Sequence, residues 1–270
     1  VLISAISFLT GVYCSGKSFS WVTDPTCWYL LITVILITAS GYWINDVADS
    51  KIDQVNKPEK RIVGPLISAK KVLTGYNVVI ILVLLISMFL PKIFFLINTV
   101  SMATLFVYSM YLKRTSLYGN LTIASLCALL ILEGSIFTGK MSLSIVSMSV
   151  FAFEITLIRE IVKDIEDFEG DLAFKLKTYP IEAGIKSAKK LTFLFLILFC
   201  ISLFMPPAFS YYFKQDFKLT YLIFMIPLVL LPGIYLIQNL SHAKTKVDFH
   251  LMSTRLKWIM LSGMISMLFL

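Results

Sequence analysis

Histidine and paired cysteine are nearly missing from this chain. Its 270 residues hold two histidines, His242 and His250, and four cysteines, Cys14, Cys27, Cys127 and Cys200. The cysteines are scattered through or beside apolar runs with no paired spacing. They form no disulfide framework and no thiolate metal site, and read as packing residues. The two histidines lack metal-ligand spacing and read as solvated or interfacial. Charge is also scarce, at 15% of residues, and stays out of long stretches altogether. Within those stretches apolar and polar positions do not alternate, which excludes a β-barrel. No low-complexity linker marks a second domain, so residues 1–270 read as a single membrane domain. There is no initiator Met, and the first and last apolar runs begin and end abruptly. The termini are expected to be trimmed, and the lack of a signal peptide excludes nothing.

What the chain has is apolar length. Hydrophobic residues make up 58% of it and its mean hydropathy is +0.85. Runs of roughly 20 apolar residues are long enough to cross about 30 Å of hydrocarbon as helices. Nine can be read, at about 1–16, 26–45, 72–90, 93–112, 117–139, 142–162, 191–213, 219–240 and 254–270. The expected fold is all-α, a polytopic bundle of nine transmembrane helices, because backbone groups in lipid must be paired within their own segment. Pro227 and Pro232 are expected to bend the eighth helix, and Pro206 and Pro207 to disturb the end of the seventh.

A net charge of +8 could suggest nucleic acid, but its distribution points to a membrane instead. Lys51, Lys57, Lys60, Arg61, Lys70 and Lys71 follow the second run, and Lys113 and Arg114 follow the fourth. With the groups after the sixth and eighth runs, even-numbered runs are followed by 19 of the 24 basic residues. The positive-inside bias puts those connections in the cytoplasm. An integral protein of the cell inner membrane is expected, with no nucleic-acid partner and its N-terminus and functional end facing the cytoplasm.

Two of these connections are acidic as well. "GYWINDVADSKIDQVNKPEKR" places Asp46, Asp49 and Asp53 at i, i+3 and i+7, and "REIVKDIEDFEGD" repeats the spacing at Asp164, Asp167 and Asp171. On a continuous helix that spacing puts three carboxylates within an arc of about 60°. Such a face is costly at low dielectric unless a cation offsets it. All-oxygen ligands suit Mg²⁺, which favours one or two carboxylates plus phosphate oxygens. Two such faces on one side of a membrane fit a metal-bridged diphosphate, and their placement hints at an internal duplication.

These residues carry a resemblance. "NDVADSKIDQVNKP" resembles the NDxxDxxxD motif of the UbiA superfamily of intramembrane prenyltransferases, and "KDIEDFEGD" resembles its second aspartate motif. "YSMYLKRTSLYGN" is similar to the family's connection after the fourth helix. The resemblance implies nine helices around a central cavity open laterally to lipid, with a prenyl diphosphate held through Mg²⁺. Carried onto this chain, Asn45, Asp46, Asp49 and Asp53 form one metal and diphosphate site, and Asp164, Asp167 and Asp171 the other. Lys113 and Arg114 approach the diphosphate, with Lys57, Arg61, Arg159 and Lys163 as further candidates. Tyr42, Trp43, Tyr108 and Tyr111 lie at a depth where aromatic faces can stabilise an allylic cation. Arg159 projects away from the Asp164 face and is a candidate to pair with a carboxylate.

The acceptor is a hydrophobic molecule. "REIVKDIEDFEGD" and "NKP" look most like the branch of digeranylgeranylglyceryl phosphate synthases, which implies the hydroxyl of a prenylated glycerol phosphate. The chain departs from that branch where "NKPEKR" replaces an NKPxRP pattern and where Lys175 stands in place of a Gly. An aromatic quinone precursor or another apolar acceptor is the alternative. From another class, a transporter using Glu133 and Glu154 as ion sites, or a non-catalytic subunit, remains open. Glu160 shares the Asp164 face and could extend the metal site. Gly119, Gly134 and Gly139 are expected at close helix packing or turns.

Overall fold

Backbone N–H and C=O groups in hydrocarbon find partners only within their own segment, and the apolar runs accordingly fold as helices. The computed structural model describes residues 1–16, 20–56, 58–213 and 219–269. In chain order the helices are α1 (Leu2–Gly16), α2 (Pro25–Asp49), α3 (Asp53–Asn56), α4 (Ala69–Ser87), α5 (Lys92–Met110), α6 (Tyr118–Thr138) and α7 (Leu143–Glu166). They continue with α8 (Phe168–Ala173), α9 (Tyr179–Ala183), α10 (Ile185–Ser202), α11 (Met205–Tyr212), α12 (Leu219–Met225), α13 (Leu231–His242) and α14 (Lys246–Met267). The only β pairing among the described residues is an isolated bridge between Val63 and Ile67.

Six described segments are long and apolar enough to cross a membrane: Pro25–Asp49, Ala69–Ser87, Lys92–Arg114, Tyr118–Thr138, Ile185–Tyr212 and Leu219–His242. The other three expected runs are helical but differ. α1 has 15 residues. α7 carries Glu154, Arg159, Glu160, Lys163, Asp164 and Glu166, and α14 opens on Lys246, Asp248 and His250.

Local chemistry sets the helix ends. Asp24 caps α2 by accepting from the Thr26 N–H at 2.8 Å, with Pro25 in the first turn where its missing N–H costs nothing. Thr245 and Asp248 form a reciprocal capping box at the start of α14. Gly139, at φ +67°, ends α6 in the left-handed conformation. Pro227 lies in a π-helical turn, Ile226–Leu230, between α12 and α13, Pro232 falls in the first turn of α13, and Pro206 and Pro207 open α11 after a break following α10.

α6 sits centrally, packed on α1 and α7, and α7 packs in turn on α10 and α14. Lipid is as apolar as the helix surfaces, so association depends on close backbone approach and on buried polar pairs. A Cβ on Gly134 would lie 2.5 Å from the Phe8 carbonyl oxygen and the Val12 nitrogen, and one on Gly11 would overlap the Ile131 carbonyl. Asn98 of α5 donates to Ser87 at 2.8 Å, and Ser202 of α10 donates to Glu154 of α7 at 2.5 Å. Glu154 therefore serves helix packing. Gly134→Ala is expected to cost about 1–3 kcal/mol, because α1 must shift to admit the methyl. Gly16→Ala meets nothing nearer than Thr138 Cγ2 at 3.9 Å and should change stability by less than about 1 kcal/mol. Thermal melts of the two purified variants test this contrast, and equal melting points would contradict the packing account.

Candidate active site

Both aspartate stretches sit at the ends of long helices, on one end of the bundle. Asp46 and Asp49 lie in the last turn of α2, and Asp53 opens α3 after a turn through Ser50. Asp164 lies in the last turn of α7, Asp167 stands at its junction with α8, and Asp171 is in α8. The expectation of one continuous helical face thus holds for two members of each trio and is corrected for the third. Carboxylates at a helix C-terminus oppose the negative end of its macrodipole, so a continued helix would stack further like charge there.

The breaks fold the two short helices together. Asn56, at the end of α3, is buried; its side-chain carbonyl accepts from the Gly170 N–H at 3.1 Å and its amide donates to Asp171 Oδ1 at 3.5 Å. A Cβ on Gly170 would lie 2.2 Å from the Asn56 side-chain oxygen, so any other residue there displaces that side chain. Lys246, opening α14, donates to the Asn56 main-chain oxygen at 2.7 Å. Halves of the chain more than a hundred residues apart are therefore clasped by one side chain.

Lys113 supplies a second bridge. It lies in the 3₁₀ turn Leu112–Arg114, is ion-paired with the buried Asp49, and donates to Asn45 Oδ1 at 3.3 Å. Asn45 in turn donates to Asp49 Oδ2 at 2.9 Å. Asp171 lies within electrostatic reach of Asp167, Lys113 and Asp49, so acids from both stretches share one field. Burial first, then repulsion from Asp167, raises the Asp171 carboxyl to about 6.

On α7 the buried Glu160 bridges two cations, with Oε1 2.8 Å from Arg159 Nη1 and Oε2 3.0 Å from Lys163 Nζ. Arg159 thus pairs with a carboxylate, and Glu160 is occupied by cations. Arg159 Nε and Arg61 Nε are buried with no acceptor among the described residues. Asp164 accepts from Asn120 of α6 at 2.8 Å. Tyr108 lies within electrostatic reach of Glu160, Asp164 and Asp49, between the two halves. Tyr42 lies within reach of Arg159, Glu160 and Asp46.

Other expected residues stand apart. Tyr111 is 67% exposed. Arg114 is exposed, and its main-chain oxygen accepts from the Lys177 N–H at 3.0 Å. Lys57 lies outside the described residues. His250, expected to be solvated or interfacial, is half-exposed but pairs through Nδ1 with Glu166 at 2.8 Å. Lys175, where a glycine was expected, has φ +56°, a left-handed backbone that favours glycine. Asn56 and Asn120 carry contacts that spacing did not single out, although both fall inside the quoted motifs.

The donor set is all oxygen, which fits a hard divalent cation. Among the described residues no three His, Cys, Asp or Glu side chains form a ready-made metal cage. Mg²⁺ is such a cation, and it takes one or two carboxylates and completes its shell with ligand oxygens. Below the polar end, an apolar cleft of about 60 Å³ runs between α1, α6, α7 and α14, lined by Thr10, Cys127, Met148, Ile155, Met260 and Met264. Cys127 is also within reach of Arg159 and Glu160, so the cleft adjoins the cations.

Asn56→Ala should lower kcat/KM at least tenfold by releasing α8, which carries Asp171, from α3, since leaving the buried Gly170 N–H without its acceptor costs about 1–3 kcal/mol. Gly170→Ala should do the same. Steady-state kinetics on both variants test the clasp, and wild-type rates in either would remove it from the site.

These features define an apolar helix bundle with a cluster of acidic side chains and neighbouring cations at one end. The family model described as the UbiA prenyltransferase family matches residues 3–260, and the chain belongs to that family. A relative, digeranylgeranylglyceryl phosphate synthase from Saccharolobus solfataricus, is 35% identical over 251 residues, covering 89% of this chain and 86% of the relative. A structure solved in work on digeranylgeranylglyceryl phosphate synthase in membranes superposes with a TM-score of 0.73 at 24% identity, covering 99% of this chain and 94% of that one. A UbiA homologue from Archaeoglobus fulgidus bound to GPP and Mg²⁺ does so at 0.67 and 15% identity, covering 98% and 96%. Both structures share the fold.

Proposed function

We propose that this protein transfers a geranylgeranyl-type group from its diphosphate to the hydroxyl of a prenylated glycerol phosphate, with Mg²⁺ as cofactor. The observation that carries the reading is the pair of bridges through Asn56 and Lys113, which gathers acids from both halves of the chain at one end of an apolar bundle. Such an end suits a ligand with a strongly anionic head and a long apolar tail. The name of the Saccharolobus relative, and the GPP and Mg²⁺ held by the Archaeoglobus homologue, support the same reading.

Asn45, Asp46, Asp49 and Asp53 hold cation and diphosphate from one side, and Asp164, Asp167 and Asp171 from the other. Mg²⁺, when bound, offsets the diphosphate charge and eases its departure. Lys113, Arg159 and Lys163 stabilise the charge that grows on the leaving oxygen, and Lys57 and Arg61 are the further candidates for that role. The bond between the allylic carbon and the diphosphate oxygen breaks, and the acceptor oxygen bonds to that carbon. An aspartate of the site takes the hydroxyl proton. Tyr108 presents an aromatic face to the allylic cation, and the apolar walls keep out water that would capture it. Tyr111 and Arg114, both exposed, meet the acceptor as it arrives from lipid.

The nine apolar runs are read as nine crossings of the inner membrane within one catalytic domain, and the basic bias of the even-numbered connections supports a cytoplasmic acidic end. The test is an assay of purified protein with labelled geranylgeranyl diphosphate against a prenylated glycerol phosphate and an aromatic acid. Product should form only with the first. Product from the aromatic acid alone would end the glycerol-lipid reading.

A further inference from the structure

A lysine near the end of a membrane helix ordinarily lays its stem along the helix and ends in water. Two lysines of α10 line a gap between helices instead. Lys189, Lys190 and Phe193 form one wall of an open groove of about 400 Å³, and Ile237, Gln238 and Ser241 of α13 form the other. The two helices meet lower down, where a Cβ on Gly233 would lie 3.3 Å from Cys200 Sγ. The groove opens above that contact, which is about 12 Å from Ser241 along α13 at 1.5 Å per residue.

The rim of the groove is basic. Lys189 Nζ donates to the Ser241 and Ala243 carbonyls at 3.1 and 2.9 Å, at the negative end of α13. Those bonds use two of its three donors and fix a positive charge in place. Lys190 stands exposed beside it, and Lys244 lies within electrostatic reach of Lys189. Asp248, also within reach, accepts from the Lys244 and Thr245 N–H groups at 2.8 Å each, so its charge serves the start of α14. Below the rim, Phe193 and Ile237 make the walls apolar. Both walls belong to segments long and apolar enough to cross a membrane: Ile185–Tyr212 begins just before Lys189, and Leu219–His242 ends just after Ser241. The lysines therefore stand at the boundary of both segments, the depth of lipid head groups. None of the six aspartates lines this groove.

We propose that the groove between α10 and α13 binds a phosphate-headed membrane lipid, with its phosphate on Lys189 and Lys190 and a tail along Phe193 and Ile237. Charge complementarity selects the occupant. Ammonium groups at head-group depth suit an anionic head, and apolar walls directly below them suit its tail. Basic recesses between membrane helices hold anionic head groups in this way. The site shares no residue with the proposed transfer and stands or falls separately from it.

Purified protein in phosphatidylcholine nanodiscs, with a trace of phosphatidylglycerol bearing a photoreactive tail, provides the test. Peptide mapping should concentrate the adducts around Phe193 and Ile237. Unlabelled phosphatidylglycerol should compete them away, and inorganic phosphate at matched ionic strength should not. Lys190→Gln should lower their yield about fivefold, the loss expected for one lysine facing anionic lipid. Lys186→Gln removes the same charge from the same helix, outside the groove, and should change the yield less than twofold. Gln238→Trp fills the groove from an exposed position and should lower the yield at least fivefold with both lysines kept. Equal losses in the two lysine variants would mean a diffuse basic surface and overturn the site. Adducts spread as densely over α4 and α5 would overturn it too, and displacement by inorganic phosphate would replace the lipid by a free anion. Should a variant not fold, the adduct map and competition in the wild type decide the matter.

Discussion

Asp49→Asn and Asp167→Asn are each expected to lower kcat/KM for prenyl transfer by about 10³-fold or more while the bundle stays folded. A carboxylate that binds the metal contributes several kcal/mol of transition-state stabilisation, and each 1.36 kcal/mol is a tenfold change in rate. Asparagine keeps the shape and removes the charge. At Asp49 it also leaves Lys113 without its ion-pair partner, so the loss there should include a misplaced cation. At Asp167, the junction of α7 and α8, the main-chain bond to Lys163 at 2.8 Å is untouched by the change. The loss there should come from metal binding, and raised Mg²⁺ should recover part of it. Kinetics across a Mg²⁺ series would separate the two variants. Near-normal turnover in either would contradict the metal role of its stretch.

The helical architecture was legible because apolar length is a strong signal, but the helix ends were not. The seventh run reads from about 191, yet α10 starts at Ile185. Lys186, Lys189 and Lys190 interrupt the hydropathy without interrupting the helix, and Lys189 turns back to the Ser241 and Ala243 carbonyls at 3.1 and 2.9 Å. Likewise α14 begins at Lys246 rather than 254, since Lys246, Asp248 and His250 cap and anchor the helix and do not end it. Hydropathy marks what lipid tolerates, whereas hydrogen bonds decide where a helix starts.

In the site, spacing revealed the acids and hid what joins them. The trios repeat a pattern and so stand out. Asn56 is a single amide whose partners lie 114 and 115 residues away, and no local period encodes that. Glu160 was readable as sharing the Asp164 face, which made it a metal candidate. Its engagement by Arg159 and Lys163 depends on side-chain directions that spacing alone does not give. The sequence arc also overstated the regularity of each trio, because a helix terminus penalises a third carboxylate.

Removal of divalent cations should abolish transfer, and Mg²⁺ should restore it. The physical reason is the charge inventory of the acidic end, where Asp171 faces Asp167 and Asp49 with Lys113 as the compensating neighbour. A diphosphate brings more negative charge, which the basic residues share with Glu160 and Asp49 and cannot neutralise alone. Mg²⁺ takes one or two carboxylates and completes its shell with ligand oxygens, so the ion and the diphosphate should bind as a pair. Thermal melts can separate this from binding of Mg²⁺ by itself. Saturation at 100 times Kd adds about 2.7 kcal/mol of stability for a ligand that binds only the folded state. That gain should appear with Mg²⁺ and geranylgeranyl diphosphate together, and be small with either one. Full stabilisation by Mg²⁺ alone would mean a preformed cage, and undiminished transfer in chelator would mean that the carboxylates hold no metal during turnover.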